Sequence, residues 1–210
     1  VLQQNLDDRD WVEHRDLTSS EFGEKWVEYD DAGYRLIDQE SYVLGGARYY
    51  AGIWIENLEG YAWASYRNLT HDAISAYLGL FADEYILVDF EAYIMGKETR
   101  YAGVWVENEE GLEWMLRRDL TSAEFSDDFA VYQDLYRIHD IESYQVDGEQ
   151  RYAAIWIRNN NGRAWKESRD MTALGYRNRW LRSRDLESGQ ITTNTQTVPV
   201  LSLIHISEPT

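Results

Sequence analysis

The sequence predicts an α+β protein made of tandem repeats, each with one helix and a three-stranded antiparallel β-meander. Three observations lead to this fold class. Tryptophans recur at a fixed spacing, a common helix-start motif separates them, and the strands between are apolar on both faces. One helix covers only one face of such a sheet, so neighbouring repeats must bury the other. An open array and a closed ring both fit this pattern.

The repeat length follows from three related segments, YAGIWIEN, YAGVWVEN and YAAIWIRN. Their tryptophans are Trp54, Trp105 and Trp156, so the period is 105 − 54 = 51 residues and again 156 − 105 = 51 residues. A second series of tryptophans keeps the same spacing, at Trp63, Trp114 and Trp165. Agreement between two independent series indicates true repetition of structure.

We divide the chain at the helix starts. Residues 1–185 form the predicted repeat array, with full copies at 18–69, 70–120 and 121–171 and partial copies at 1–17 and 172–185. A polar tail follows at 186–200. The segment 201–210, LSLIHISEPT, looks like the translation of a sequencing-library adapter, and we exclude it from the predicted fold. On this division we expect the chain to be a fragment of a longer protein.

Each copy opens with a helix that a threonine N-cap begins. The N-caps are Thr18, Thr70, Thr121 and Thr172. A threonine hydroxyl accepts a hydrogen bond from a backbone N–H of the first turn, and Glu21 and Glu124 complete capping boxes in two copies. The residue before each cap and the fourth helical residue are both apolar, which predicts a hydrophobic staple in every copy.

Two long strands and one short strand follow each helix. The first strand is YRLIDQESY, YILVDFEAY or YRIHDIESY. A glycine turn leads to the second strand, in which alternation places Tyr101, Gly103 and Trp105 on one face. Glu110 and Gly111 then turn the chain into the short third strand around Trp114. We therefore expect the strands of one copy to pair in chain order.

The composition excludes several classes of function. The chain has 38 acidic and 20 basic residues and a formal charge of −18, which disfavours nucleic acid and anionic membrane surfaces as partners. With 44% apolar and 14% aromatic residues it can form a packed core. The absence of cysteine excludes disulfides, thiolate metal sites and cysteine nucleophiles. No apolar run is long enough for a membrane-spanning helix.

The Asp-x-Glu-x-Tyr segment of the first strand is the main candidate for chemistry. Asp89 and Glu91 lie on one face, about 7 Å apart along the strand. A glycosidase uses a carboxylate pair at such a spacing, one as acid and one as base or nucleophile. We favour a structural network instead, because the segment recurs in every copy and buried charges are normally paired. The carboxylates are Asp38, Glu40, Asp89, Glu91, Asp140 and Glu142, and their expected partners are Arg100 and Arg151, or Arg15, Arg67, Arg118 and Arg169.

The repeated aromatic rings are a second candidate. Exposed tyrosine and tryptophan rings bind sugars and peptides through their faces, whereas rings at a fixed phase more often form a core. These rings are Trp54, Trp105, Trp156, Tyr101 and Tyr152. The four histidines occupy unrelated phases and the acidic clusters lack the spacing of a calcium loop. We therefore predict no metal site and no cofactor.

Several motifs carry a family resemblance. RYAGVW begins at Arg100, RDLT at Arg118 and DIESY at Asp140. They resemble the bacterial tandem repeat domain family and the N-terminal region of fungal polyglycine hydrolases, over residues 1 to 185. The resemblance implies repeats that serve recognition or protein contacts beside a β-lactamase-like serine hydrolase domain, which carries the catalysis.

The Ser-x-x-Lys motif of such hydrolases is absent. The residues three positions before the three lysines, Lys25, Lys97 and Lys166, are Phe22, Ile94 and Arg163. No catalytic residue is therefore predicted.

These observations favour a noncatalytic recognition module that is accessory to a serine hydrolase domain. The resemblance places the protein outside the cell or in the cell envelope. The expected partner is a protein or a cell-wall polymer, without nucleic-acid binding or membrane insertion. Two alternatives stay open: a glycosidase-like hydrolase that uses one Asp and Glu pair, and a purely structural spacer.

Overall fold

The computed structural model describes residues 8–162, 165–167, 175 and 201–203. The helices are α1 (Ser19–Asp31), α2 (His71–Phe81) and α3 (Ser122–Tyr132). The strands of the repeats are β1 (Trp11–Leu17), β2 (Tyr34–Leu44), β3 (Ala47–Glu56), β4 (Trp63–Leu69), β5 (Tyr85–Met95), β6 (Glu98–Glu107), β7 (Trp114–Leu120), β8 (Tyr136–Val146) and β9 (Glu149–Arg158). Two short strands, β10 (Trp165–Glu167) and β11 (Leu201–Leu203), pair in parallel, so three residues of the segment excluded from the predicted fold form a strand.

The nine long strands form three antiparallel sheets of three strands each. Their strand orders are β1-β3-β2, β4-β6-β5 and β7-β9-β8. Each unit therefore consists of a strand, a helix and a hairpin, and the second hairpin strand lies in the centre of the sheet. The predicted content of one helix and a three-stranded antiparallel sheet per repeat is confirmed.

The predicted meander is wrong, because β4 does not pair with β3. It pairs with β6 of the next unit, with Trp63 opposite Val106. The reason lies in β3, whose two edges are already occupied by β1 and β2. The sheets thus divide the chain at the strand before each helix rather than at the N-cap.

The described helix starts have the predicted caps. Thr18 and Thr121 form capping boxes with Glu21 and Glu124, and the Thr70 hydroxyl accepts from Ala73 N–H at 3.2 Å. The apolar residues one turn later, Phe22, Ile74 and Phe125, are buried against the sheets. These caps stabilise each helix by about 1 kcal/mol and anchor it on its sheet.

Adjacent units bury each other's sheet faces, as predicted. Trp105, on the helix face of the second sheet, is fully buried. Its core cluster also contains Ala153 and Ile155 from the third sheet. Val104, on the opposite face, belongs to the core cluster of Phe22 and other residues of the first unit. A single unit would leave one of these faces exposed to water, so the units stabilise one another.

Adjacent units also meet through their edge strands and helices. The edge strands β2, β5 and β8 contact one another directly in that order. Trp26 of α1 packs on Trp63 of the next unit, with ring centroids 4.8 Å apart. Edge strands and helix side chains therefore both join neighbouring units.

None of the described helices is long and apolar enough to cross a membrane. The predicted partial copy at 172–185, apart from Gly175, and the predicted polar tail at 186–200 lie outside the described residues.

Candidate functional site

The edge formed by β2, β5 and β8 carries the Asp-x-Glu-x-Tyr segments. Because β2, β5 and β8 are neighbours, their carboxylates form one group that extends across three units. We call it the carboxylate column; its members are Asp38, Glu40, Asp89, Glu91, Asp140 and Glu142. The structure thus brings together the six acidic residues that were candidates from the sequence.

Hydrogen bonds connect the column between units. Asp89 Oδ2 accepts from the Gln39 backbone N–H at 3.3 Å, and Asp140 Oδ2 accepts from the Phe90 N–H at 3.1 Å. Each of β2, β5 and β8 shifts register just before its aspartate. Each of the two hydrogen bonds joins an aspartate to the edge strand of the preceding unit.

Burial raises the pKa of most column carboxyls, and the neighbouring carboxylates raise it further. The pKa of Asp38 rises to about 6 and that of Asp140 to about 7. The pKa values of Asp89, Glu91 and Glu142 also lie well above their ordinary range for the same reasons. After burial, the neighbouring Glu142 and Glu40 side chains contribute most to the raised pKa of Glu91. The buried carboxyls of the column therefore retain protons near neutral pH.

The expected pairing of these carboxylates with arginines is wrong for the described residues Asp38, Asp89 and Glu91, which take part in no ion pair there. Arg67 and Arg118 lie in β4 and β7, at the opposite edge of each three-stranded sheet. Two strand spacings separate those edges by about 10 Å.

The predicted arginine partners make other contacts. The Arg67 guanidinium lies over the ring of Phe22 at 4.5 Å, and Arg118 donates to Ser75 Oγ at 2.7 Å. Arg100 pairs with Glu98, Arg15 lies 3.8 Å from Asp16, and Arg151 donates to the Gln150 carbonyl oxygen at 3.2 Å. Arg169 lies outside the described residues.

The tyrosine of each Asp-x-Glu-x-Tyr segment holds the residue two positions before a helix N-cap. The Tyr93 hydroxyl accepts from Asn68 N–H at 2.9 Å and donates to Asn68 Oδ1 at 2.8 Å. Tyr42 makes the same two bonds to Asp16, and Tyr144 makes them to Asp119. The segment therefore serves two structural contacts, one inside the unit and one between units.

The repeated aromatic rings lie in the core. Trp54, Trp105 and Trp156 are 0% exposed, and Tyr101 and Tyr152 are 3% and 4% exposed. A ring that stacks on a ligand must present a free face. These five rings present none, so they pack the units rather than offer a platform.

No group of three or more His, Asp or Glu side chains in the described ranges could hold a metal ion. His139 lies beside the column in sequence, and burial lowers its pKa to about 4. It is therefore uncharged at neutral pH.

A family model described as polyglycine hydrolase-like, structural repeat, matches residues 8–57, 60–108 and 111–159. These stretches span most of the chain, and each contains one strand, one helix and one hairpin. The chain belongs to the polyglycine hydrolase-like structural repeat family. No curated protein matches it.

The polyglycine hydrolase-like repeats also use an asparagine whose role sequence reasoning missed. Asn108, at the end of YAGVWVEN, donates from its side chain to the Leu112 carbonyl at 3.0 Å and accepts from Leu112 N–H at 2.9 Å. Asn57 makes the same pair of bonds to Tyr61. Recurrence of this asparagine at the end of the repeated segment was the available signal. It fixes the loop that leads to the next unit.

Proposed function

We propose that this chain is a noncatalytic recognition module that binds a protein or a cell-wall polymer. It belongs, on this proposal, to a larger secreted protein and is accessory to a serine hydrolase domain. Membership of a structural repeat family supports this function. The observation that carries its noncatalytic part is the burial of Asp89, Glu91, Glu142 and the repeated rings inside the stack, where no substrate reaches them.

The geometry of the column weakens the glycosidase alternative. A glycosidase needs one protonated and one ionised carboxyl group, both open to a sugar. Asp89 and Glu91 are only 8% and 4% exposed. Burial raises the pKa of both carboxyls, so both favour the protonated form and neither is prepared as a nucleophile.

Co-sedimentation tests this proposal. The purified chain is mixed with peptidoglycan, chitin or cellulose, and both the bound protein and newly released reducing ends are measured. Immobilised proteins from the same source are tested in parallel by surface plasmon resonance. We expect saturable binding to at least one of these partners without release of reducing ends.

Two outcomes would contradict the proposal. In the first, the unchanged chain releases reducing ends and the variant D89N/E91Q does not. This result would establish the hydrolase instead. Absence of saturable binding to every polymer and protein tested would favour a structural spacer. D89N/E91Q is suited to this comparison because both substitutions preserve side-chain shape and keep an oxygen acceptor.

A further inference from the structure

One of the three described contacts between a helix and the next unit differs from the other two. In the first, Trp26 of α1 packs on Trp63 at 4.8 Å between ring centroids. In the third, Phe129 of α3 packs on Trp165 at 5.5 Å. The equivalent residue in α2 is Leu78, which faces Trp114. The middle contact therefore lacks one aromatic ring.

A groove of about 480 Å³ lies at this place, between α2 and β7. Its apolar lining includes Leu78, Leu112, Trp114 and Leu116. At the first contact, Trp26 Nε1 donates to Ser65 Oγ at 2.8 Å, and the position equivalent to Ser65 is Leu116. The groove thus lies where the other units place a large ring.

The walls of this groove are held by hydrogen bonds. Trp114 Nε1 donates to the Tyr85 carbonyl oxygen at 2.9 Å, which fixes the indole. Asn108 fixes the backbone of Leu112 through the two bonds described above. A groove whose walls are already fixed loses little conformational entropy when a ligand enters it.

Both charged side chains that line the groove are acidic. Asp83 and Glu113 both belong to the lining, and both are exposed. Glu113 accepts a hydrogen bond from the Tyr136 hydroxyl and lies 3.8 Å from Arg158 Nη1, which offsets part of its charge. Glu109 and Glu110 are exposed in the adjoining loop, and the whole chain carries −18. The surroundings therefore attract cations.

We propose that the groove between α2 and β7 binds a short protein segment in which aliphatic side chains are flanked by lysine or arginine. The aliphatic side chain occupies the space that an aromatic ring fills in the other units. The cationic neighbours face Asp83 and the acidic loop. This inference rests on the proposed function, because it assigns the protein partner and its place of binding.

A fluorescent peptide with two central leucines between lysine pairs tests the inference by fluorescence anisotropy. We expect saturable binding to the full chain. Replacement of the leucines by serine, or of the lysines by glutamate, should weaken binding by about tenfold or more. The variant L78W/L116S copies the Trp26 and Ser65 pair into the groove and should weaken binding to a similar extent. D83K, at an exposed position of the lining, should also weaken it and requires no change in the core.

The matched control is L80W, which adds a ring to the same helix at a residue that is 72% exposed and outside the groove. It should bind as the unchanged chain does. The inference is overturned if the peptide does not bind, if the serine peptide binds equally well, or if both L78W/L116S and D83K bind normally. Binding to a polymer or protein in the assays above, without binding of this peptide, would reject the groove and leave the proposed function standing.

Discussion

One residue ahead of each described helix adopts a backbone conformation that is rare for residues other than glycine. Asp16, Asn68 and Asp119 have φ angles of 58°, 59° and 60°. Aspartate and asparagine tolerate the left-handed region better than most residues. A tyrosine hydroxyl from the hairpin bonds both the backbone N–H and the side chain of each, so it compensates for the local cost. These tyrosines therefore set the angle at which the chain enters the helix.

The variant Y93F tests this role. It removes the hydroxyl that bonds Asn68 twice, while the ring, which is 7% exposed, stays in place. We expect the free energy of unfolding to fall by about 1–2 kcal/mol, because a polar backbone group loses its partner. Urea denaturation measures this change. Y49F is the control, since the Tyr49 hydroxyl forms no hydrogen bond among the described residues, and it should change stability by less than about 0.5 kcal/mol. Equal effects of both variants would contradict the assignment.

The carboxylate column shows how far residue patterns predict a site. Alternation along a strand correctly placed Asp89 and Glu91 on one face, because that relation is local. The partner was predicted wrongly, since the choice between Arg67 and Asp38 depends on which strands become neighbours. Spacing along the chain contains no information on that choice. Burial of like charges beside one another was also unexpected, because it is costly unless protons are retained.

At the scale of elements, the central strand of each sheet must allow a tryptophan to fold back over it. A Cβ added at Gly103 would lie 2.7 Å from Trp105 Cη2 and 3.0 Å from Leu87 Cδ1. Gly52 has the same close contact with Trp54 in the first unit. The third unit has Ala154 at this position, beside the buried Trp156. Glycine at this position therefore serves close packing of the indole in the first two units.

We predict that G103A destabilises the protein by about 1–3 kcal/mol, because the buried indole has little room to move. Thermal and urea unfolding measure this effect. The control is G79A in α2, where an added Cβ meets nothing within 4 Å. It should stabilise the protein by up to about 1 kcal/mol, since alanine favours helices more than glycine does. A neutral G103A would show that Trp105 can shift to accommodate the methyl group.

Elements were predictable where their determinants lie close together in sequence. The Thr121 and Glu124 capping box and the glycine turns are local, and the structure has them as predicted. The pairing of β4 with β6 is not local, because it depends on both edges of β3 being occupied first. A periodic sequence can be divided at any phase, so the pattern alone did not show which strand belongs to which sheet.

At the scale of the whole molecule, the column couples the units to pH. Its carboxyls are contributed by β2, β5 and β8, and each described aspartate contact between units, such as Asp89 with Gln39, crosses a boundary. Ionisation of these groups places like charges close together in a buried region. Their electrostatic repulsion weakens the contacts between units. Acid should therefore favour the stack, and base should weaken it.

The direction in which stability changes with pH follows from proton binding to the folded and unfolded chain. The folded column keeps protons up to about pH 6 for Asp38 and about pH 7 for Asp140, whereas the unfolded groups release them near their ordinary value of 3.8. The contribution of the column to the free energy of unfolding is thus fully present below pH 3.8 and is lost as pH rises through 6 and 7. His139 acts in the opposite direction, because its lowered pKa favours folding as pH rises from about 4 toward its ordinary 6.5. Five carboxyls with raised pKa values should outweigh one histidine.

We therefore predict that the free energy of unfolding falls by ~2 kcal/mol between pH 5 and pH 8, as measured by urea denaturation at constant ionic strength. D89N/E91Q should reduce this dependence and raise stability at pH 8, because two of the groups no longer ionise. The control E109Q/D134N makes the same change of charge at exposed positions. If the control reduced the dependence equally, the net charge of −18 would be its source instead of the column. A reduction confined to D89N/E91Q would place the pH dependence at the boundaries between repeats.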